Sequence, residues 1–355
     1  MSFHYFSNIV GNRALTHRLS KDISENMLSH AYILEGPRGS GRHTVALNVA
    51  AAIECERRQQ ESDLPDLFGE VASGEIPCGN CPACEKILSG KSPDVITMGL
   101  EDDKQSIGVE TVRQLKNDMY TAPNDLSVKV YIIEDADTMT VQAQNAFLLS
   151  LEEPPAYVLF FLLCENSAKL LETVRSRAPT LRTERLESEQ VEEFLLRTDK
   201  RAKALKEESP EDWKALVFVS SGSIGYALEL LDVKKRAKVF ETRAVAKELI
   251  RMLKGTDRSA VFEAIAAFGT KRAEVIRQLS FLQYAIRDLL LLKKSESAPL
   301  CFFEDRDAAT ELATHFTAQG LFALSDAVTV ATDDLESNAN VRLTLTNMML
   351  SAGLL

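Results

Sequence analysis

Three closely spaced cysteines could bind a metal ion. Cys78, Cys81 and Cys84 are each separated by two residues, and Cys55, at the end of a predicted helix, can supply a fourth sulfur. Four thiolates close a tetrahedral structural zinc site with no open position for water. An iron–sulfur cluster is the alternative, but the C-x3-C-P ligand that would complete its pattern is missing. Unliganded thiols at this density would be a redox liability, so the spacing favours structural Zn²⁺.

A glycine-rich loop follows a predicted strand and opens a helix, a context in which backbone N–H groups can bind phosphate. The pattern GxxxxGK[ST] is almost met, because its two defining glycines are present at Gly36 and Gly41. Its lysine is replaced by the planar fork of Arg42, and its Mg²⁺-binding hydroxyl by His43. Thr44 comes one residue too late on the helix to replace that hydroxyl. The candidate cofactor-binding residues of this degenerate P-loop are Gly36, Gly39, Gly41, Arg42 and Thr44.

These replacements leave two alternatives for the loop. It either retains some binding of ATP or ADP, or it is a tight strand-to-helix turn that holds no ligand. Efficient hydrolysis by this loop alone is disfavoured, because neither the lysine nor the hydroxyl is present.

An acidic pair, Glu134 and Asp135, ends the β-branched run at residues 130–133. In P-loop ATPases an acidic residue at such a strand end holds the Mg²⁺ shell, and a following glutamate positions the attacking water. The usual order is Asp then Glu, so Asp135 is one methylene too short for the second role. Acidic residues also commonly mark the end of a buried strand. Together with the glycine loop, this degenerate Walker B position predicts an ATPase core that has lost its activity.

Short apolar runs alternate with helical segments in the first half of the sequence, and these elements must position the candidate residues. Strands are predicted at 30–35, 128–133 and 157–163. Helices are predicted at 44–55 and 140–152, and another before Arg177. This alternation predicts an α/β fold with a parallel sheet covered by helices on both faces.

The second half of the sequence has helical periodicity and no further strand signals after about residue 186. The helical segments are 187–201, 211–220, 223–253, most of 259–294, 321–335 and 340–354. The predicted domains are an α/β domain at 1–185, a small helical domain at 186–253 and a larger helical domain at 254–355. Residues 56–76 look like an insertion in the first of these.

The segment AQNAFLLSLEEPP at residues 143–155 is highly specific. It resembles the clamp-loader branch of the AAA+ ATPases, in which an "NALLKxLEEPP" helix follows the Walker B strand. Residues 160–166 look like the sensor-1 strand of that family, with Cys164 or Glu165 at its polar position. Residues 173–178 match its "SRC" motif, with alanine in place of the cysteine.

The resemblance implies an AAA+ P-loop type sheet with a four-cysteine zinc module, then a helical lid and an all-α collar domain for oligomerisation. It also implies that Arg177 is an arginine finger, which would act on the ATP site of a neighbouring subunit. An ion pair within the domain is the alternative for Arg177. The sensor-2 position, within residues 222–227, has no arginine, which again disfavours hydrolysis at the chain's own site.

The resemblance therefore predicts a non-hydrolysing clamp-loader subunit of the DNA polymerase III holoenzyme, in a hetero-oligomer with subunits of the gamma/tau and delta types. It would help load the sliding clamp, with which its contact would be indirect, and would reach primer–template DNA only through the assembly. A competent ATPase of the gamma/tau type is the alternative.

Charge and composition agree with a role among protein partners. The chain has 41 Lys+Arg against 52 Asp+Glu, a net charge of −11, which argues against a nucleic-acid-binding protein that acts alone. No signal peptide is visible, and no apolar run reaches the roughly 18 residues of a membrane span. We therefore expect a cytoplasmic protein with no membrane partner.

Overall fold

The computed structural model describes residues 4–58, 74–100, 104, 106–254, 258–295 and 297–354. Most of the insertion predicted at 56–76, namely residues 59–73, lies outside the described residues. The chain forms two compact units. The first comprises residues up to 194 together with 222–226, and the second comprises 195–221 and the chain from 227 onwards.

A sheet of five parallel strands is the centre of the first unit. The strands are β2 (Ala31–Glu35), β4 (Val95–Met98), β5 (Lys129–Ile133), β6 (Val158–Cys164) and β7 (Thr180–Arg182), after the short β1 (His4–Tyr5) and with the short β3 (Glu75–Ile76) before β4. Their order across the sheet is β4-β5-β6-β2-β7, while β1 pairs with β3 alone. Every residue of β5 and β6 is buried, as expected of central parallel strands with helices on both faces.

Helices cover both faces of this sheet. Those of the first unit are α1 (Arg13–Ser24), α2 (Arg42–Ile53), α3 (Pro82–Leu88), α4 (Val109–Asp118), α5 (Val141–Glu152) and α6 (Glu172–Arg175). Neighbouring residues of β6 enter opposite cores, because side chains alternate along a strand. Phe161 packs in the core that contains Leu19 of α1, and Phe160 in the core that contains Phe147 of α5. The predicted α/β class and parallel sheet are therefore confirmed.

The rest of the described chain is helical, as predicted. Its helices are α7 (Ser188–Thr198), α8 (Lys200–Glu208), α9 (Pro210–Val219), α10 (Ile224–Leu230), α11 (Val233–Met252), α12 (Arg258–Ala267), α13 (Arg272–Lys294), α14 (Arg306–Thr314), α15 (Ala318–Glu336) and α16 (Val341–Ser351). A single apolar core in the second unit takes residues from Ala246 to Ala352. None of the described helices is long and apolar enough to cross a membrane.

Two predicted helices are each divided in the structure. The segment 223–253 forms α10 and α11, because the Asp232 carboxylate accepts the first free N–H groups of α11, from Lys234 (2.9 Å) and Lys235 (3.0 Å). The segment 259–294 forms α12 and α13, which are separated at Gly269 and its neighbours. The division of the helical half into a lid and a collar stays a prediction.

A buried carboxylate fixes the loop that leads into β5. Asp94 is fully buried and accepts N–H bonds from Asn124 (2.7 Å), Asp125 (2.7 Å) and Leu126 (3.0 Å). Burial acts to raise the pKa of Asp94, but these N–H groups outweigh it and hold the pKa below its ordinary value.

Replacing this carboxylate should destabilise the protein strongly. For Asp94→Ala we expect a loss of about 3 kcal/mol in the free energy of urea unfolding at pH 7, because several N–H groups lose their acceptor. The folded pKa lies below the unfolded value of about 3.9, so the contribution is complete above that pH and is lost as pH falls through the folded pKa.

The control is Asp125→Ala, which removes the exposed carboxylate paired with Lys86 at 2.8 Å and should cost less than about 1 kcal/mol. A difference between the wild type and Asp94→Ala that does not shrink on acidification would contradict this role of the carboxylate.

Candidate functional site

The four cysteines predicted to bind metal lie together in the first unit. The sulfur atoms of Cys55, Cys78, Cys81 and Cys84 all lie within 4.8 Å of one another. Cys55 follows α2, Cys78 follows β3, and the other two lie at the start of α3. A tetrahedral zinc ion with Zn–S bonds of about 2.3 Å needs sulfur atoms about 3.8 Å apart. The Cys78 and Cys84 sulfurs are 3.9 Å apart, so the donor set fits such an ion.

Their environments favour different protonation states. Burial raises the pKa of the Cys55 and Cys84 thiols above the ordinary value. Burial also acts to raise the pKa of Cys78, but backbone N–H groups of Asn80 and Cys81 and the neighbouring thiols lower it to about 7. Cys78 therefore forms the thiolate, which is the form that binds metals, more readily than Cys55 and Cys84 do.

Polar contacts join the cysteine-bearing helices to the loop before β5. Glu54, next to Cys55, accepts N–H bonds from Ser127 (3.0 Å) and Val128 (3.1 Å). Lys86 of α3 pairs with Asp125 of the same loop. The cysteine cluster is thus fixed near the amino-terminal end of β5.

The glycine loop follows β2 and opens α2, in the context that the sequence predicts. Gly39 and Gly41 have φ angles of +74° and +90°, which favour glycine. Gly36 donates its N–H to the carbonyl of Cys164 at 3.0 Å. A Cβ atom on Gly36 would lie 1.8 Å from the Thr183 hydroxyl oxygen, so only glycine fits at this position.

A second segment of the first unit, residues 222–226, lies directly on this loop. The Ser223 hydroxyl donates to the carbonyl of Arg38, and the N–H of Gly225 donates to the carbonyl of Gly39, both at 2.9 Å. A Cβ atom on Gly39 would lie 2.5 Å from the backbone nitrogen of Tyr226. From the sequence this segment was only a sensor-2 position without arginine, and its contact with the loop was not predicted. The signal was its two closely spaced glycines, Gly222 and Gly225.

The residues that replace the P-loop lysine and hydroxyl lie at the start of α2. Arg42 is buried, and its Nη1 has no hydrogen-bond partner among the described residues. His43 Nε2 lies 3.3 Å from the Thr97 hydroxyl, and Thr44 is exposed.

The sensor-like strand β6 ends at Cys164. Burial raises the pKa of this thiol to about 12, so the thiol is neutral.

The acidic pair lies at the end of β5, as predicted. Glu134 and Asp135 are both exposed, and Asp135 has a positive φ of 49°. Asp137 accepts an N–H bond from Asn166, which follows β6, at 3.3 Å. The ends of β2, β5 and β6 thus place the glycine loop, the acidic pair and the sensor-like strand at one edge of the sheet.

Arg177, the predicted finger, follows the short helix α6. Its guanidinium donates to the carboxylate of Glu152 at 2.6 Å, the carbonyl of Thr173 at 2.8 Å and the hydroxyl of Ser176 at 3.3 Å. The side chain is 34% exposed. The ion pair within the domain is therefore present, and it leaves the guanidinium accessible from the surface.

Comparison with known proteins gives matches along most of the chain. Residues 11–187 match the family model described as "DNA polymerase III, delta subunit". DNA polymerase III subunit delta' from Bacillus subtilis is 26% identical over 327 residues, which is 91% of each sequence. DNA polymerase III subunit tau from the same organism is 26% identical over 337 residues, 90% of this chain and 56% of tau, so this chain spans little more than half of that relative.

A solved structure also matches along most of the chain. A DNA polymerase III gamma subunit-related protein from Thermotoga maritima covers 94% of this chain and 98% of its own, with 18% identity and a TM-score of 0.44.

The covered glycine loop should be sensitive to a single methyl group. We expect Gly39→Ala to release residues 222–226, because the added Cβ would clash with the backbone of Tyr226, and to speed hydrogen exchange of the Gly225 amide by about tenfold or more. Gly41→Ala is the matched control: it has the same φ strain, but its Cβ would meet no atom within 4 Å. Equal acceleration in the two variants would show that strain, and not the contact, protects this amide.

Proposed function

This chain belongs to the AAA+ clamp-loader family, and we propose that it is a subunit of the delta-prime type in a DNA polymerase III clamp loader. It does not hydrolyse ATP at its own site. Instead it supplies Arg177 to the ATP site of a neighbouring subunit and so helps load the sliding clamp onto primed DNA.

The observation that carries this proposal is the state of the glycine loop. The position of the catalytic lysine holds Arg42, and the position of the Mg²⁺ ligand holds His43. Residues 222–226 are hydrogen-bonded to the same loop, and they contain no arginine that could contact a phosphate. A loop without its lysine and hydroxyl lacks the groups that polarise the transferred phosphate and hold Mg²⁺.

The other half of the ATPase chemistry is retained. Arg177 lies where the family has its finger, and its guanidinium is partly exposed beside α5. A guanidinium introduced beside a transferring phosphoryl group stabilises the charge that develops in the transition state. The loss of the chain's own site together with a retained finger favours a subunit that activates its neighbour.

The cysteine cluster is the proposed structural zinc site. Cys55, Cys78, Cys81 and Cys84 would complete the tetrahedral shell, so the ion would have no position open for substrate. Its role would be to join Cys55 to the segment of β3 and α3 and to hold that segment against the loop before β5.

The partners follow from the family and from the charge of the chain. We propose a hetero-oligomer with gamma/tau and delta types of subunit, joined through the helical second unit. The net charge of −11 supports protein contacts and leaves most DNA contact to the assembly. A competent ATPase of the gamma/tau type is the alternative, and the similarity to subunit tau supports it.

The isolated chain and the assembly should behave differently. We expect no ATP turnover by the purified chain at saturating Mg-ATP. In the reconstituted clamp loader, Arg177→Ala in this subunit should lower kcat at the neighbouring site by about 10³-fold, because an arginine finger contributes on that scale. The measurement is clamp- and DNA-stimulated ATPase activity, resolved by single-turnover kinetics.

The matched control is Arg175→Ala, which removes an exposed side chain of the same charge two residues earlier. Robust turnover by the isolated chain would favour the gamma/tau alternative. An assembly with Arg177→Ala that is as active as the Arg175→Ala control would remove the finger from the mechanism.

The metal site makes a separate prediction. Metal analysis of the purified chain should give one zinc per chain and a colourless sample, and Cys81→Ser should lower this content and the thermal midpoint. The control variant Cys301→Ser, which changes a cysteine outside the cluster, should have the same zinc content as the wild type. A brown, absorbing sample would indicate iron–sulfur chemistry, and a protein that contains no metal and remains fully folded would indicate free thiols.

A further inference from the structure

The Arg177 guanidinium is only partly used by its own chain. Its Nη1 donates to Thr173 and Ser176, and its Nη2 donates to Glu152. A guanidinium also carries an N–H on Nε and a second hydrogen on Nη2, and neither has a recorded acceptor in the part of the chain that the structure describes. Two N–H groups therefore remain for an external anion, and a guanidinium binds phosphate oxygens in this paired way.

Glu152 lies where a carboxylate does not help its own helix. It is the last residue of α5, and a negative charge at a helix C-terminus is opposed by the helix dipole. Its side chain is 43% exposed, and its recorded partner is the guanidinium of Arg177 at 2.6 Å. The stability of α5 gives no reason for a glutamate at this position. The ion pair with Arg177 does give one.

The two elements joined by this pair are already fixed to each other in the core. Gln144 of α5 is buried, and its side-chain oxygen accepts the N–H of Leu171, just before α6, at 2.7 Å. Val174 and Ala178, on either side of the finger, are buried in the core that also contains Phe147 of α5. The backbone at Arg177 is thus held without Glu152, so what the carboxylate adds is the orientation of the guanidinium.

We propose that Glu152 is a positioning residue for the finger. Its carboxylate holds one terminal nitrogen of Arg177, and the carbonyl of Thr173 and the hydroxyl of Ser176 hold the other. The two uncommitted N–H groups are thereby kept in a fixed orientation for the phosphate oxygens of the neighbour's nucleotide. This inference rests on the proposed function of Arg177 and adds the residue that sets its geometry.

The test uses the reconstituted clamp loader with Glu152→Gln in this subunit. The amide is nearly the same size but has no charge, and an ion pair this exposed contributes little to folding, so the subunit should assemble normally. We expect kcat of the stimulated ATPase to fall by about tenfold with KM for ATP unchanged, because orientation errors affect the chemical step. Glu152→Asp keeps the charge on a shorter side chain, and its kcat should lie between those of the wild type and Glu152→Gln.

The matched control is Glu153→Gln, which removes the same charge from the adjacent exposed residue and should leave kcat unchanged. In an Arg177→Ala background, Glu152→Gln should cause no further loss, because its effect passes through the arginine. A loss of equal size in both backgrounds, or no loss in the wild-type background, would overturn the positioning role.

The same series separates this inference from the proposed function. If Arg177→Ala lowers ATPase activity while Glu152→Gln does not, the finger stands and the positioning role fails. If Arg177→Ala has no effect, the proposed function itself fails. Size-exclusion chromatography of each reconstituted complex checks that the variants occupy the assembly equally.

Discussion

The pairing of β2 with a strand on each side is the constraint on which the site depends. β6 occupies one edge of β2 and β7 the other, all in parallel. Gly36 donates to the end of β6, and Thr183, just after β7, donates its N–H to the carbonyl of Glu35 at 2.8 Å. The chain that leaves β2 must therefore turn between two neighbouring strands, and the space left there admits only a glycine.

This crowded strand end explains how the loop can have the P-loop geometry although the lysine and the hydroxyl of the P-loop pattern are absent. The turn at Gly36 and the positive φ angles that follow are required by the sheet, whether or not a nucleotide binds. The lysine and the hydroxyl are required by the nucleotide alone, and these are the positions that hold Arg42 and His43. The loop geometry is a property of the fold, while the catalytic groups are independent of it.

Sequence patterns predicted those features that depend on neighbouring residues. The runs at β5 and β6 were clear because both faces of these strands are buried, and the cysteines were clear because most of their spacing is local. The edge strands β4 and β7 were not predicted, because they are short and only partly buried.

Contacts between distant residues were beyond such patterns. The hydrogen bond from Ser223 to Arg38 joins residues 185 positions apart, and neither segment has a sequence pattern that would identify the other as its partner. For Arg177 an ion pair was one alternative, but its partner could not be identified, because Glu152 lies 25 residues earlier on a different helix. Tertiary packing, which no local pattern encodes, decides both contacts.

The helix α5 has a consequence for timing as well as for position. It begins shortly after the acidic end of β5 and ends at Glu152, a span of about 18 Å for its 12 residues. A rigid helix in this position would transmit any movement at the carboxyl end of β5 to Glu152 and so to Arg177. If, as proposed, no nucleotide is hydrolysed at that end, no such movement arises there, and an arginine finger at Arg177 would keep the same place at every stage of the neighbour's cycle.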